Sequence, residues 1–568
     1  MKPASQLRGR LRVLLSQLLP NTHMSLQSHS LALVAALAIV APTSPVYGQA
    51  ANAVSAATLR EHLFTISHDS MGGRNTGSRG NAMATAYVAA RFRAAGLDPA
   101  GDDGTFFQNL PFVQVTLRAD ASIMAGKEPI PFGAGVVPGN RSDWDATGVQ
   151  PLHGGAIGDT ASWPRGPEVK GRLVLFASGE VSGRAARGLL DQAAERLQAD
   201  GASAVGLIVA EQGLRFYAAR ALGTSLVMEG GSAGAPLPQV MVSEHAAATM
   251  LRGDLESASP GTTGPALQGG YSYSRSSPEW PVRNVVGILR GIDPALNHTY
   301  IAVTAHNDHV GTTSTPVDHD SLFAHNRVIR PLGADSRNRD ATADEAKRIQ
   351  AIRDSLGALR PSRRDSVFNG ADDDGSGTVS LIEIARALAA GERPRRSVLF
   401  VSHAGEEMGL LGSRWFTEHP TVPRDSIIGD VDLDMVGRGP GAADPEYLEI
   451  VGSRRLSTRF GDLLEVANAG MAASFLFDYQ FDAPGHPLRY YCRVDAYSYA
   501  RHGIPVASLG RGGHPDYHQL TDEPQYIDYD GLARVATLVR DFVRHVANLD
   551  ERPLVDGPVG DPEARCVQ

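Results

Sequence analysis

Cysteine is nearly absent from this 568-residue sequence: only Cys492 and Cys566 occur, so a disulfide framework is not what holds the fold together. Whether these two residues pair after export stays open at this level. Aromatic residues are also scarce, at 6%, which argues against a base-stacking surface. No sustained basic run occurs, and 53 Lys and Arg against 62 Asp and Glu leave a net charge of -9. Nucleic acid and anionic membranes are therefore poorly matched as partners. Long hydrophobic runs are missing too. The apolar stretch from Leu31 to Ala41 is well below the ~20 residues needed to span a bilayer. It follows Arg8, Arg10 and Arg12 and precedes Pro42, Pro45 and the small residues Gly48, Ala50 and Ala51. That is the shape of a secretory signal, so residues 1–50 are expected to be a signal peptide, with Met24 as an alternative start. The mature protein is then expected in the periplasm or medium, with no membrane contact.

What the chain does have is a globular balance, 42% hydrophobic and 20% charged, at a length that suggests two or three folded units. Residues 58 to 110 read as two helices around the loop GGRNTGSRG, Gly72 to Gly80, whose plain role is to open the second helix. From 125 to 265 the texture changes to short strand-like runs, Leu173 to Ala177 and Val205 to Ala210, around a helix from Arg184 to Asp200. The main unit resumes at about 280. Asn284 to Leu289, Tyr300 to Ala305, Ser397 to Ser402, Ile427 to Leu433 and Ile504 to Leu509 are apolar strand runs alternating with helices. A helix is expected over Thr378 to Ala390 and another over Leu532 to Val546. This pattern predicts an α/β fold with a mainly parallel sheet flanked by helices, carrying a smaller β-rich insert. Residues 312 to 368 form a polar insertion with a helix near Ala343 to Leu356, long enough to suggest a functional element.

The chemistry centres on NGADDDGSG, Asn369 to Gly377, which places three consecutive carboxylates before a helix. Carboxylates so crowded repel one another unless a cation neutralises them. Asp372, Asp374, Ser376 and Glu383 fit a calcium-loop spacing. Alternatively, one Asp bridges two metals whose other ligands come from distant segments. The neighbours favour the second reading. His306, Glu406, Glu407, Asp434 and His518 each follow an apolar strand run, and loops after parallel strands converge at one sheet edge. Two His, two Asp and one or two Glu make a mixed nitrogen and oxygen shell suited to zinc rather than calcium.

In order, AHNDHVG, GADDDGSG, GEEMGLLGS, LDMVGR and HPDYHQLTDE resemble the co-catalytic zinc peptidases of the aminopeptidase Y family. The likeness covers about 58 to 110 and 280 to 550. The resemblance implies that 58–124 and 280–550 form the peptidase domain and that 125–265 is a protease-associated domain, which Val169-Lys170-Gly171 and DGASAVGLIV also resemble. It implies two zinc ions, one held by His306 and Asp434, the other by Glu407 and His518, with Asp373 bridging. Asp308 would orient His306, Glu406 would be the general base for a water shared by the metals, and Tyr517 would hydrogen-bond the oxyanion. The implied activity is removal of N-terminal residues from peptides. A carboxypeptidase or dipeptidase on the same scaffold, and a non-catalytic binding protein, are the alternatives. Three departures stand out: Asp374 where Asn is common, Val494-Asp495-Ala496 where Ser-Asp-His is frequent, and the long 312–368 insertion, a candidate lid.

Overall fold

The apolar runs of the main unit assemble into one nine-stranded sheet in a computed structural model. It describes residues 51–568 apart from 182, 230–235, 256 and 440–445, so the expected signal peptide lies outside the described residues. The sheet order is Asp98–Pro99, Arg283–Leu289, Ser397–His403, Tyr300–His306, Ile427–Leu433, Val506–Gly510, Tyr447–Val451, Leu476–Asp478, and Phe107–Asn109 also pairs with Arg283–Leu289. The four strands from Ser397–His403 to Val506–Gly510 are mutually parallel. Toward both edges the pairing turns antiparallel, through Arg283–Leu289 and Tyr447–Val451. The sheet is therefore mixed: the expected parallel arrangement holds for its four central strands, and at one edge Tyr447–Val451 and Leu476–Asp478 also pair parallel. The reason is legible in the runs themselves: Tyr300–His306, Ser397–His403 and Ile427–Leu433 are buried at every residue, as strands covered on both faces must be.

Helices cover both faces. Ala56–Ile66, Arg79–Ala94, Gly377–Ala390, Thr458–Ala469 and Tyr529–Ala547 share one core with the sheet. In the last of these, Leu532, Val535, Val539, Phe542, Val543 and Val546 recur at helical spacing and are all buried. Each such side chain contributes about 1.5–3 kcal/mol of burial. On the opposite face Phe416 of Leu411–Glu418 and Tyr499 of Ala496–Ala500 pack against Val286, Ala302 and Leu399. Cys492 and Cys566 form a disulfide there, fastening the C-terminal segment beside Tyr490 and Tyr491.

The stretch between the two parts of the main unit builds separate sheets with cores of its own. Five strands run in the order Val136–Pro138, Gln239–Ser243, Ala204–Val209, Leu173–Ala177, Pro151–Ala156. Phe112–Leu117 pairs with Ser225–Met228 and Tyr273–Ser276, so by strand pairing the segments joining this region to the central sheet lie outside 112–276, beyond the sequence-based limits of 125 and 265. The 312–368 insertion has structure of its own: Thr312–Asp318 and Arg364–Val367 pair antiparallel and enclose the helices His319–Ile329 and Ala343–Leu359. Thr342 and Glu345 cap the second helix reciprocally.

Candidate metal centre

His306 ends the strand Tyr300–His306, Glu406 and Glu407 follow Ser397–His403, Asp434 follows Ile427–Leu433, and His518 lies on the loop beyond Val506–Gly510. Four neighbouring parallel strands thus deliver their side chains to one edge of the sheet. Asp373 reaches the same place from the turn before Gly377–Ala390. Its Oδ1 lies 3.2 Å from His306 Nε2, and its Oδ2 lies 2.9 Å from His518 Nε2. Asp434 Oδ1 and Glu406 Oε2 each lie 3.9 Å from His306 Nε2, while Glu407 Oε2 is 3.0 Å from His518 Nε2. All five ligands expected from the sequence are therefore brought together, with Asp373 between the two groups.

His309 is an addition. Three residues after His306, it places Nδ1 2.8 Å from Glu407 Oε1 and 3.8 Å from Asp373 Oδ2. The second histidine of AHNDHVG was its only signal in the sequence. The ligand atoms of His306, Asp373 and Asp434 lie within 4.8 Å of one another, as do those of His309, Asp373, Glu407 and His518. Several buried nitrogen and oxygen atoms make no well-formed hydrogen bond here, their short contacts lacking the geometry for one: His306 Nε2, both ring nitrogens of His309, Asp373 Oδ2 and Glu407 Oε1. Orphaned donors and acceptors of this kind are costly unless something ligates them, and the mixed donor set fits zinc. Another acidic group, His319, Asp365 and Glu523, is instead bound up by Arg363, which pairs with both carboxylates.

The flanking carboxylates have structural work. Asp374 accepts from the backbone N–H of His306, Gly377 and Met435, at 3.0, 3.0 and 3.3 Å. Asp372 accepts from Gly437 N–H at 2.6 Å and lies 3.1 Å from His514 Nε2. Glu383 binds Arg386 and the N–H of Ser55. The carboxylates that a calcium loop needs are thus consumed elsewhere, which rules out that reading of the spacing. Asp308 accepts from Thr76 Oγ1 and from the N–H groups of Gly405 and Glu406, at 2.7, 2.8 and 3.2 Å. Its carboxylate stands 3.7 Å from His306 Nδ1, and the shorter contact, 3.2 Å, is with its own carbonyl. Asp308 thus fixes the Glu406 backbone as well as facing His306.

Arg74, in the loop read from sequence as a helix opening, is fully buried and clamps the site from below. It donates to the carbonyls of Ile66, Asn307, Asn369 and Gly370, at 3.1, 3.2, 2.6 and 2.7 Å. Ser78 does cap Arg79–Ala94, so the loop serves both ends. Gly370 must be glycine: φ is +55°, and a Cβ would sit 2.5 Å from the His309 ring.

Burial and charge set the proton affinities. Burial opposes protonation of His306, but the Asp308 and Asp373 carboxylates outweigh it and hold the ring well above its usual range. His518, opposed by burial and supported by Asp373 and Glu407, is raised to about 10. Burial works against ionisation of Asp373, yet His306 and His518 hold it well below the usual carboxylate range. Glu406 goes the other way: burial, with help from Glu407 and Asp434 against His306, pushes it well up. Two adjacent glutamates thus differ: burial and Asp373 oppose ionisation of Glu407 as well, but His309 and His518 outweigh them and lower it to about 2.

A cavity of about 330 Å³ opens beside these groups. Asp373, Glu406, Glu407, Asp434, His518 and Tyr517 line one part of it. The Tyr517 hydroxyl accepts from Arg493 Nη2 at 2.8 Å, and burial, reinforced by Asp373, raises its pKa. The insertion supplies Leu332, Ala334 and Asp335 to the wall, with Ala334 N–H donating to the Tyr517 carbonyl at 3.0 Å.

A family model, that of peptidase family M28, matches residues 284–543, the stretch that carries every ligand described above. Over that stretch the chain is similar to family M28. Among curated relatives, leucine aminopeptidase 1 of Arthroderma otae is 27% identical over 246 residues, covering 40% of this chain and 60% of that protein. A probable glutamate carboxypeptidase, AMP1 of Arabidopsis thaliana, is 29% identical over 198 residues, or 33% and 26% of the two chains. Aminopeptidase NAALADL1 of Rattus norvegicus is 46% identical over 74 residues, 11% and 10% of the two. The chain spans about half the length of the leucine aminopeptidases it matches. The solved aminopeptidase from Aneurinibacillus sp. strain AM-1 is 18% identical with a TM-score of 0.48, covering 90% of this chain and 98% of that one. The matched stretch is an α/β unit with a mixed sheet flanked by helices, and among the described residues no helix is long and apolar enough to cross a membrane.

Proposed function

We propose that this protein is a secreted exopeptidase that uses two zinc ions to remove N-terminal residues from peptides. The observation that carries the proposal is the convergence of unpartnered buried ligand atoms on either side of Asp373, at a cavity that also presents Glu406. His306 and Asp434 would hold one zinc, Glu407 and His518 the other, with Asp373 shared and His309 beside Glu407. Zinc at these positions supplies Lewis acidity toward a carbonyl and lowers the pKa of water. The protein's own groups do the rest. Glu406, whose backbone Asp308 fixes, takes a proton from the attacking water and returns it to the leaving amine. The Tyr517 hydroxyl, held by Arg493, donates toward the developing oxyanion.

The free end recognised follows from charge. Arg493 is the cation on the cavity wall that could attract a substrate carboxylate, and its Nη1 already pairs with Asp335 Oδ2 at 3.0 Å. The acidic surroundings favour a free amine. The disulfide suits an oxidising compartment. The inserted region, which strand pairing extends over 112–276, is assigned as a protease-associated domain and 312–368 as an element limiting substrate size. Hydrolysis of a short free peptide is compared with its N-acetylated and C-amidated forms. Loss of cleavage on acetylation alone is expected; loss on amidation alone would make it a carboxypeptidase.

A further inference from the structure

The part of the cavity away from the ligands holds a buried carboxylate that the chemistry above does not use. Glu449 lies in the strand Tyr447–Val451, is 4% exposed, and lines the cavity together with Val451, Leu332 and Tyr490. Its Oε2 has no hydrogen-bond partner, and among the described residues no cation pairs with it. Its cross-strand neighbour is another acid, Asp478, whose Oδ2 accepts from the Tyr447 hydroxyl at 2.9 Å. Arg493, on the same wall, is committed to Asp335 and to the Tyr517 hydroxyl.

A buried carboxyl group facing a cavity without a partner is costly to ionise in the free protein, and that cost is offset when a ligand brings a cationic donor. Tyr447–Val451 stands two places along the sheet from Ile427–Leu433, which carries Asp434. Two strand spacings are roughly 10 Å. That separation suits a long unbranched side chain extending from a reacting carbonyl to a terminal charge. Gly510, Gly512 and Gly513 leave the intervening wall bare, while Val451, Leu332 and Tyr490 offer apolar surface for methylenes.

We infer that Glu449 is a specificity-determining residue that selects a basic side chain, lysine or arginine, at the substrate's N-terminal position. The inference rests on the reading of this cavity as an exopeptidase site. Snorkelling geometry explains the selection: the apolar stem packs on the wall while the ammonium or guanidinium meets Glu449.

The test uses the zinc-loaded full chain and reads binding apart from turnover. Calorimetric affinities for L-lysinamide and L-methioninamide, similar in length and different in terminal charge, are measured beside kcat/KM for lysyl and methionyl anilides. Lysinamide should bind at least ~10-fold more tightly, and Glu449→Gln should abolish that preference while leaving methioninamide binding within about 3-fold. Retained methioninamide binding also reports that the variant is folded. Equal affinities in the parent protein, or an unchanged ratio in Glu449→Gln, would overturn the inference. A protein that prefers lysinamide yet cleaves neither anilide would sink the proposed peptidase reaction and leave the role of Glu449 standing.

Discussion

Replacing Arg74 should damage stability and zinc binding together. Its guanidinium is fully buried and donates to four carbonyls drawn from three segments: Ile66 on the first helix, Asn307 beside His306, and Asn369 and Gly370 before Asp373. Burial lowers its pKa, and Asp374, Asp373 and Asp522 oppose that shift, so the charge also offsets the carboxylates above it. In Arg74→Met each carbonyl loses a charge-assisted donor, worth about 1.5–3 kcal/mol apiece, while the cost of burying the guanidinium is recovered. The balance resembles loss of one member of a buried ion pair, about 3–5 kcal/mol. That is a large part of the ~5–15 kcal/mol by which a folded protein is stable. Arg74→Lys keeps the charge but cannot present the planar fork, so it should recover only part of the loss. Guanidinium denaturation of the metal-free and zinc-loaded forms, with zinc affinity by competition, reads both effects. An Arg74→Met protein within about 1 kcal/mol of the parent, with unchanged zinc affinity, would refute the clamp.

Glu406→Gln should keep its zinc and lose kcat by several orders of magnitude, measured by elemental analysis and peptide turnover on one sample; near-parental kcat would remove Glu406 from proton transfer. The Cys492–Cys566 bridge closes a separation of 74 residues, so Cys492→Ser should lower stability by up to ~4 kcal/mol in denaturant titrations. Glu449, raised by burial first and then by Asp478 and Asp434 from 4.5 to about 8, provides a pH prediction. A folded pKa above the unfolded one gives stability that is complete below pH 4.5 and is lost as pH rises to about 8. Relative to Glu449→Gln, the parent should therefore lose up to about 3 kcal/mol between pH 5 and 8, and a pH-independent difference would contradict the assignment.

Much of the site was legible because each expected ligand follows, or stands beside, a pattern that specifies backbone. His306, Glu406, Glu407 and Asp434 come directly after apolar runs that form neighbouring parallel strands. Asp373 precedes an amphipathic helix whose bounds, Gly377–Ala390, nearly match the expected ones. The supporting residues left no such trace. Arg74 acts through backbone carbonyls far away in sequence, and neither the spacing nor the polarity of GGRNTGSRG reveals which carbonyls it meets. His309 shares a motif with His306, but its place against Glu407 depends on the turn at Gly370. Glu449 sits within YLEIV, a run whose apolar flanks read as core until the cavity beside it is seen. The antiparallel edges of the sheet, and the pairing of Phe112–Leu117 with Tyr273–Ser276, are long-range choices that local periodicity does not encode.

The claim on which the rest depends is that the atoms around Asp373 hold two metal ions. Elemental mass spectrometry of the purified, dialysed full chain tests it most directly, with Asp373→Asn as the paired sample. About two zinc per chain in the parent, falling in Asp373→Asn, is the expected result. Calcium alone, or no retained divalent metal in a folded protein that is given zinc, would contradict it.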